Sequence, residues 1–318
     1  MPSITPVAAV RAFRALLLLA AVAAAVAAAP APAAACARPL KIAAFKEFTA
    51  FVLDGAQAAG VPMEEVTWVK NADEAHQYLE TGERDVVFMS YDDTLSITLG
   101  DGFNGTAIVW PVHGGMLSLC GEVDPAANKT TVGIDTTTGY ARALRYHLSS
   151  SLSPDEYEAL DWVKAGATNI RFQALLNGSL DATLLNPPFN ILAEAQGLAC
   201  TPMADVLGPY QGVVAHVTQD FLADPANVAC LQALADASAA VVAGLRSDPT
   251  AAVDALTAFY NTTSDTASAI YDALWQPNGL ASGLCFNASQ LAGTEAIFAW
   301  DTKLEVPAKR PWVQDIFC

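Results

Sequence analysis

The stretch "NGSLDATLLNPPF", Asn177 to Phe189, reads as the end of a helix, a strand, and then two prolines in a row. A strand that merely connects ends in an ordinary turn. A strand that stops at a site ends abruptly, with its last polar side chain facing an opening. Asn186 holds that last position, so the question is whether Asn-Pro-Pro closes a site wall or is only a rigid turn.

The same phrase occurs earlier in the chain. "LDWVK" (160–164) echoes "VTWVK" (66–70), and "LLNGSLDATLLN" echoes "YLETGERDVVFMS". In both copies a helix ends in glycine (Gly82, Gly178), an aspartate follows three residues on (Asp85, Asp181), and a β-branched, apolar run suited to a buried strand comes next. Asn71 with Glu74 has capping-box spacing for the helix before Gly82. The spacing predicts two similar α/β lobes, with a strand starting near Leu40 and a helix over 49–59. Between the copies, TVGID runs into the turn Thr136, Thr137, Thr138, Gly139, with a helix opening near Tyr140. Beyond Gly208, GPYQGVVAHV reads as a returning strand. The rest reads as helices over 228–246, 250–260, 266–275 and 290–300, punctuated by Pro and Gly.

The chain has 318 residues, 53% of them hydrophobic, and a net charge of −17. That length suits two ordinary domains. Arg11 and Arg14 precede an apolar run over 15–29 and then small residues, the layout of a secretory signal over residues 1–35. Removal near Ala35 leaves 14 basic and 33 acidic residues, a net of −19, which excludes a nucleic-acid surface. No later apolar run reads as long enough to span a membrane. Six cysteines, at 36, 120, 200, 230, 285 and 318, contain no C-x-x-C pair. In an exported chain they point to disulfides. At least one pair is expected among Cys120, Cys200, Cys285 and Cys318, with Cys285–Cys318 foremost. A buried free thiol stays open for Cys230, as does lipidation for Cys36. Five of the eleven asparagines, Asn104, Asn128, Asn177, Asn261 and Asn287, stand in acceptor triplets for glycosylation.

The runs VGIDTTTGYARALRYHL (132–148), RFQALLNGSLDATLLNPPFNILAEAQGL (171–198) and DVLGPYQGVVA (205–215) resemble solute-binding proteins of ABC importers, in particular the group that binds sulfonates, nitrate and thiamine pyrimidines. The resemblance implies an α/β fold of type II clamshell topology, with two lobes, a ligand cleft between them, and C-terminal helices packed on lobe one. Lobe one would comprise 36–115 and 210–318, and lobe two 116–209. In that frame Asn186 points its amide toward the ligand, Pro187 fixes an extended exit, and Pro188 is pre-set for the next helix. Ligand residues would come from four loops and one crossing: Phe45, Lys46 and Glu47; Ser90, Tyr91 and Asp92; Thr136 to Gly139 with Tyr140; Asn186 and Phe189; and Tyr210. His113, Gly114, Gly115, Gly208 and Gly212 fall at the crossings and read as hinge. The ligand class stays open. A helix start at Gly139 favours an oxyanion, while Glu47, Asp92 and Asp93 favour a cationic or donor-rich molecule.

The implied protein is a secreted monomer without cofactor, serving a membrane transporter. The other class is an enzyme on the same scaffold, resembling fungal thiamine-pyrimidine synthases. Their cysteine-rich iron motif is absent, and His76, His113, His147 and His216 show no metal-ligand spacing. His113 is the candidate catalytic histidine in that alternative.

Overall fold

The computed structural model describes residues 36–124 and 130–318. The signal segment over 1–35 and the acceptor Asn128 lie outside the described residues. Ten strands form two sheets. The first contains β1 (Ile42–Ala44), β2 (Thr67–Trp68), β3 (Val86–Ser90), β4 (Thr106–Pro111) and, from much later in the chain, β10 (Val213–Thr218). The second contains β5 (Ser118–Gly121), β6 (Thr130–Ile134), β7 (Leu160–Lys164), β8 (Ala182–Leu185) and β9 (Cys200–Pro202). Their orders are β2-β1-β3-β10-β4 and β7-β6-β8-β5-β9. In each, the first three strands run parallel and the fourth enters antiparallel from the other side of the chain. The echoed sequences therefore hold equivalent places: β2 with β7 at the edges, β3 with β8 in the middle.

The echo extends to hydrogen bonds. Gly82 and Gly178 both take positive φ, 64° and 74°, a region that suits glycine. Asp85 then accepts from the Lys41 N–H at 2.7 Å, while its own N–H reaches the Lys41 carbonyl at 2.8 Å. Asp181 does the same with Thr131, at 2.7 and 2.9 Å. In both lobes one carboxylate ties the start of one parallel strand to the start of its neighbour, which fixes the register. The cap at Asn71 is a variant on the expected box. Asn71 accepts from the Glu74 N–H, but the Glu74 carboxylate takes the Lys70 N–H at 2.7 Å instead of the cap residue's own.

The expected C-terminal helices are present as Pro225–Ser247, Pro249–Tyr260, Ser264–Ala273 and Ala288–Thr302. The first of these corrects one expectation. Its 23 residues are long and apolar enough to cross a membrane. It lies on lobe one, with Cys230, Leu231, Leu234 and Ala235 against Phe88, Trp110 and Val217 of the first sheet. The last helix straddles both lobes, because Leu291 and Phe298 pack with Tyr91 while Ile297 packs with Leu144.

The two crossings lie side by side. The Gly212 N–H donates to the His113 carbonyl at 3.1 Å, and the Gly114 N–H to the Gly279 carbonyl at 3.0 Å. A Cβ on Gly212 would sit 2.2 Å from the Gly115 nitrogen, and one on Gly114 2.6 Å from the Asn278 Cα. These two glycines allow close backbone approach, a different reason from the dihedral freedom expected of a hinge.

All six cysteines are paired: Cys36–Cys230, Cys120–Cys200 and Cys285–Cys318. The foremost expected pair is present, and the free-thiol alternative for Cys230 is overturned. Cys120 and Cys200 are register partners on β5 and β9. Cys36 ties the entry of the described chain to the long core helix, across 194 residues. The unreduced protein should therefore show no titratable thiol, and six after reduction in denaturant. A Cys36→Ser/Cys230→Ser variant should lose about 2–4 kcal/mol of stability, read by denaturant unfolding. A free thiol in the unreduced protein would contradict the pairing.

Candidate functional site

Strands β1, β3, β6 and β8 end around one cavity of about 40 Å³ between the lobes, room for about three waters. Open α/β sheets place ligands there, at the carboxyl ends of their strands. Phe45, Glu47, Ser90, Asp93, Gly139, Tyr140 and Asn186 line it, together with Asp135, Thr168 and Arg171. Glu47, Ser90, Gly139, Tyr140, Asn186 and Phe45 were candidates from the sequence.

The other candidates sit elsewhere. Lys46 and Thr137 are exposed. Tyr91 turns into lobe one, donating to Glu295 at 2.7 Å and accepting from the Trp312 ring N–H at 3.1 Å. Phe189 packs on Phe172 inside lobe two, ring centroids 5.5 Å apart. Tyr210 is fully buried, 6.3 Å from the Tyr140 ring. Thr136 shares a hydrogen bond with Thr138, whose hydroxyl crosses to Asp93 at 3.1 Å.

Asp92 is buried and is not part of the cavity lining. Its carboxylate accepts the Gly139 N–H at 2.8 Å and pairs with Arg142. The helix start that suggested an oxyanion seat is thus filled by the protein's own anion. Burial pushes the Asp92 carboxyl up to about 7, against the pull of Arg142.

At Asn186 the chain leaves β8 through a cis Pro187–Pro188 bond into the helix Phe189–Ala195. Asn186 is 1% exposed. Its amide N–H approaches the Glu47 carboxylate at 3.5 Å, and its Oδ1 has no partner. The carboxylate only accepts, so the amide nitrogen must face it.

Glu47 is held by neutral groups. Thr49 donates to it, and His113 Nε2 lies 3.2 Å away. The His113 Nδ1 accepts the Gly115 N–H at 3.0 Å, so the ring carries its proton on Nε2 and is uncharged. Its lone pair is taken, which suits bracing Glu47 and not drawing a proton from a ligand. His216 is a core histidine, accepting from Thr94 at 2.6 Å, and burial lowers its pKa to about 4.

Asp93 does have a cation. Burial opposes its ionised form, but His76, Ser90 and Thr138 hydrogen-bond it and hold its pKa below the usual range. Burial likewise works against a charged His76 ring, and the Asp93 contact outweighs it, so the His76 pKa rises.

Asp135 and Arg171 were not singled out from the sequence. The Oδ1 of Asp135 has no partner, and burial pushes its pKa up to about 7 against the opposing pull of Arg171 and of the nearby Ala72 N–H of lobe one. Arg171 is buried. Its guanidinium donates to Thr183 at 3.0 Å, Thr168 at 3.3 Å, the Leu184 carbonyl at 3.1 Å and the Gly166 carbonyl. Among the described residues no group of three or more His, Cys, Asp or Glu side chains could hold a metal ion.

No protein-family model matches the sequence, and no curated protein matches it. Solved structures do. A ligand-binding component of an ABC-type import system from Staphylococcus aureus, with zinc bound, is 14% identical; the match covers 87% of this chain and 96% of that one, at a TM-score of 0.66. The alkanesulfonate-binding protein from Xanthomonas axonopodis pv. citri, bound to MOPS, gives 14%, 84%, 95% and 0.63. A Candida albicans gene product with the generic periplasmic binding protein fold gives 11%, 87%, 96% and 0.64. The chain has the periplasmic binding protein fold. Its two sheets, each with an inserted antiparallel fourth strand, are the type II clamshell expected from the sequence. At these identities the likeness extends to the fold and no further.

Asp135 makes stability depend on pH. Its folded pKa of about 7 lies above the ordinary value near 3.9. Between those values the native state holds a proton that the unfolded chain lacks, so its contribution is full below about pH 4 and is lost as pH rises through about 7. Relative to Asp135→Asn, the wild type should gain on the order of 1–3 kcal/mol between pH 7.5 and 5, read from paired melting curves. Parallel curves across that range would contradict the assignment.

Proposed function

We propose that the mature chain is an exported, monomeric solute-binding protein. It closes two lobes, 36–115 with 210–318 and 116–209, on a small polar organic molecule, of which a pyrimidine-like one is an example. It hands the ligand unchanged to a membrane transporter. One observation carries the reading: a cavity at the carboxyl ends of strands from both lobes, where the buried Asn186 amide of one faces the buried Glu47 carboxylate of the other. The crossings at 113–115 and 208–212 serve as the hinge. Export agrees with three disulfides. The described acceptors Asn104, Asn177, Asn261 and Asn287 are all exposed, and we place glycans there. With its sulfur bound to Cys230, Cys36 has none to give a lipid thioether.

A screen of sulfonates, oxyanions, pyrimidines and amines against the purified mature chain should raise its melting temperature with at least one ligand. The Asn186→Ala variant should weaken that ligand by about 1–3 kcal/mol. It should change the melting temperature little, because the one hydrogen bond of this side chain is long. A variant that melts early yet binds like wild type would remove Asn186 from the site.

A further inference from the structure

Resting on the binding-protein reading, we propose that this cavity selects a compact organic cation, a primary ammonium or an amidinium, seated on the Glu47 carboxylate. Glu47 is 3% exposed and lines the cavity. Its hydrogen-bond partners are Thr49, a His113 ring that is neutral by its own tautomer, and the Asn186 amide. A buried carboxylate with only neutral donors lacks the cation that normally accompanies such a charge. The second observation is independent of charge. Asn186, 1% exposed and on the same cavity, keeps an acceptor oxygen without a partner, as does Asp135. Open acceptors call for a ligand that donates. The Tyr140 and Phe45 rings on the wall offer faces that attract cations.

Most groups that would hold an anion are already spent, the Tyr140 hydroxyl being the one side-chain donor on the wall left without a partner. The Gly139 N–H and Arg142 go to Asp92, and Arg142 also reaches Ser96 at 2.7 Å and Asp301 at 3.0 Å. Arg171 directs its donors at two hydroxyls and two carbonyls. Three carboxylates, Glu47, Asp93 and Asp135, face the cavity with one guanidinium, and His76 balances only Asp93.

Calorimetric titration of the mature chain at constant ionic strength tests this. Ammonium, methylammonium and acetamidinium chlorides form one set of probes, and sodium methanesulfonate and sodium nitrate the other. At least one cation should bind and neither anion should. Glu47→Gln should weaken the cation at least tenfold, while Glu305→Gln, which removes an exposed charge, should not. If Glu47→Gln fails to fold, Asp135→Asn serves in its place, with a weaker loss of the same sign. Binding of an anion without any cation would overturn the cation proposal and leave the binding-protein reading standing. Equal cation affinity in wild type and Glu47→Gln would also overturn it. Silence from both probe sets, together with silence from the wider ligand screen, would overturn both readings.

Discussion

A carboxylate of lobe one occupies the helix start of lobe two. Asp92 takes the Gly139 N–H and the Arg142 guanidinium, and much of the closed arrangement follows from that contact. Arg142 passes on to Ser96 and Asp301, and Arg145 meets the same Asp301 at 2.6 Å. The last helix is therefore tied to both lobes through charged groups as well as through Ile297 and Phe298. A buried ion pair adds little net stability against an apolar replacement, yet breaking one side of it is costly. Its effect here is to specify how the lobes meet. A shift of one lobe against the other would leave Asp92 buried without the Gly139 N–H and the Arg142 guanidinium.

The contact has a counterpart. Asp135 of lobe two stands near the Ala72 N–H at the start of a lobe-one helix. Each lobe thus supplies an acid to the other's helix start, where the unpaired N–H groups and the dipole favour negative charge. The two contacts do not follow the repeat, in which β3 corresponds to β8 and β6 to β1, but both strands end beside the cleft and the acids stand just past those ends. The Asp92 contact spends the Gly139 N–H and Arg142, donors with which this fold could hold an anion. What remains unpaired on the cavity wall is the Asn186 and Asp135 oxygens and the Tyr140 hydroxyl. Burial without full pairing holds Asp135 near neutrality in its titration, while Asp93, with His76 beside it, stays ionised.

Much of the fold was legible because it was written twice. Gly82 with Asp85 and Gly178 with Asp181 are local signals, and each marks the same turn and the same strand-to-strand staple. Asn186 was legible for a similar reason: prolines after a buried strand leave its last polar side chain few directions. Residues whose role depends on the opposite lobe were not legible. Arg171 sits mid-helix in TNIRFQALL, where an arginine reads as a solvated face, and nothing local shows that the Leu184 and Gly166 carbonyls await it. Tyr91 lies in the right loop but finds Glu295 and Trp312, more than 200 residues on in sequence. Cys36 with Cys230 failed the local test too, since an apolar helix face suits a thiol as well as a disulfide. The 225–247 helix was legible as a helix, but its length and apolarity were underrated, because burial against a sheet and burial in lipid ask for the same composition.

The division of labour across the cleft bears on how a ligand could close it. A ligand shifts a conformational equilibrium only by its difference in affinity between the two states. Gly139 to Asp92, Thr138 to Asp93 and Ala167 to the Lys70 carbonyl, at 2.7 Å, are protein–protein contacts. On the binding-protein reading proposed above, they would form on closure whatever the cavity holds, and so would favour the closed state without distinguishing ligands. Asn186 to Glu47, at 3.5 Å, is the loosest of these cross-cleft hydrogen bonds. A molecule donating to both the Glu47 carboxylate and the Asn186 oxygen would gain one of its two partners only when the lobes meet. Selectivity then resides where the protein's own bonding is weakest. His113 belongs to both parts, since its ring braces Glu47 while its backbone carbonyl takes the Gly212 N–H across the crossings. If the crossings act as the proposed hinge, a rotation there would carry Asn186 away while Glu47 keeps its brace, leaving the carboxylate positioned to receive a ligand before the second lobe arrives.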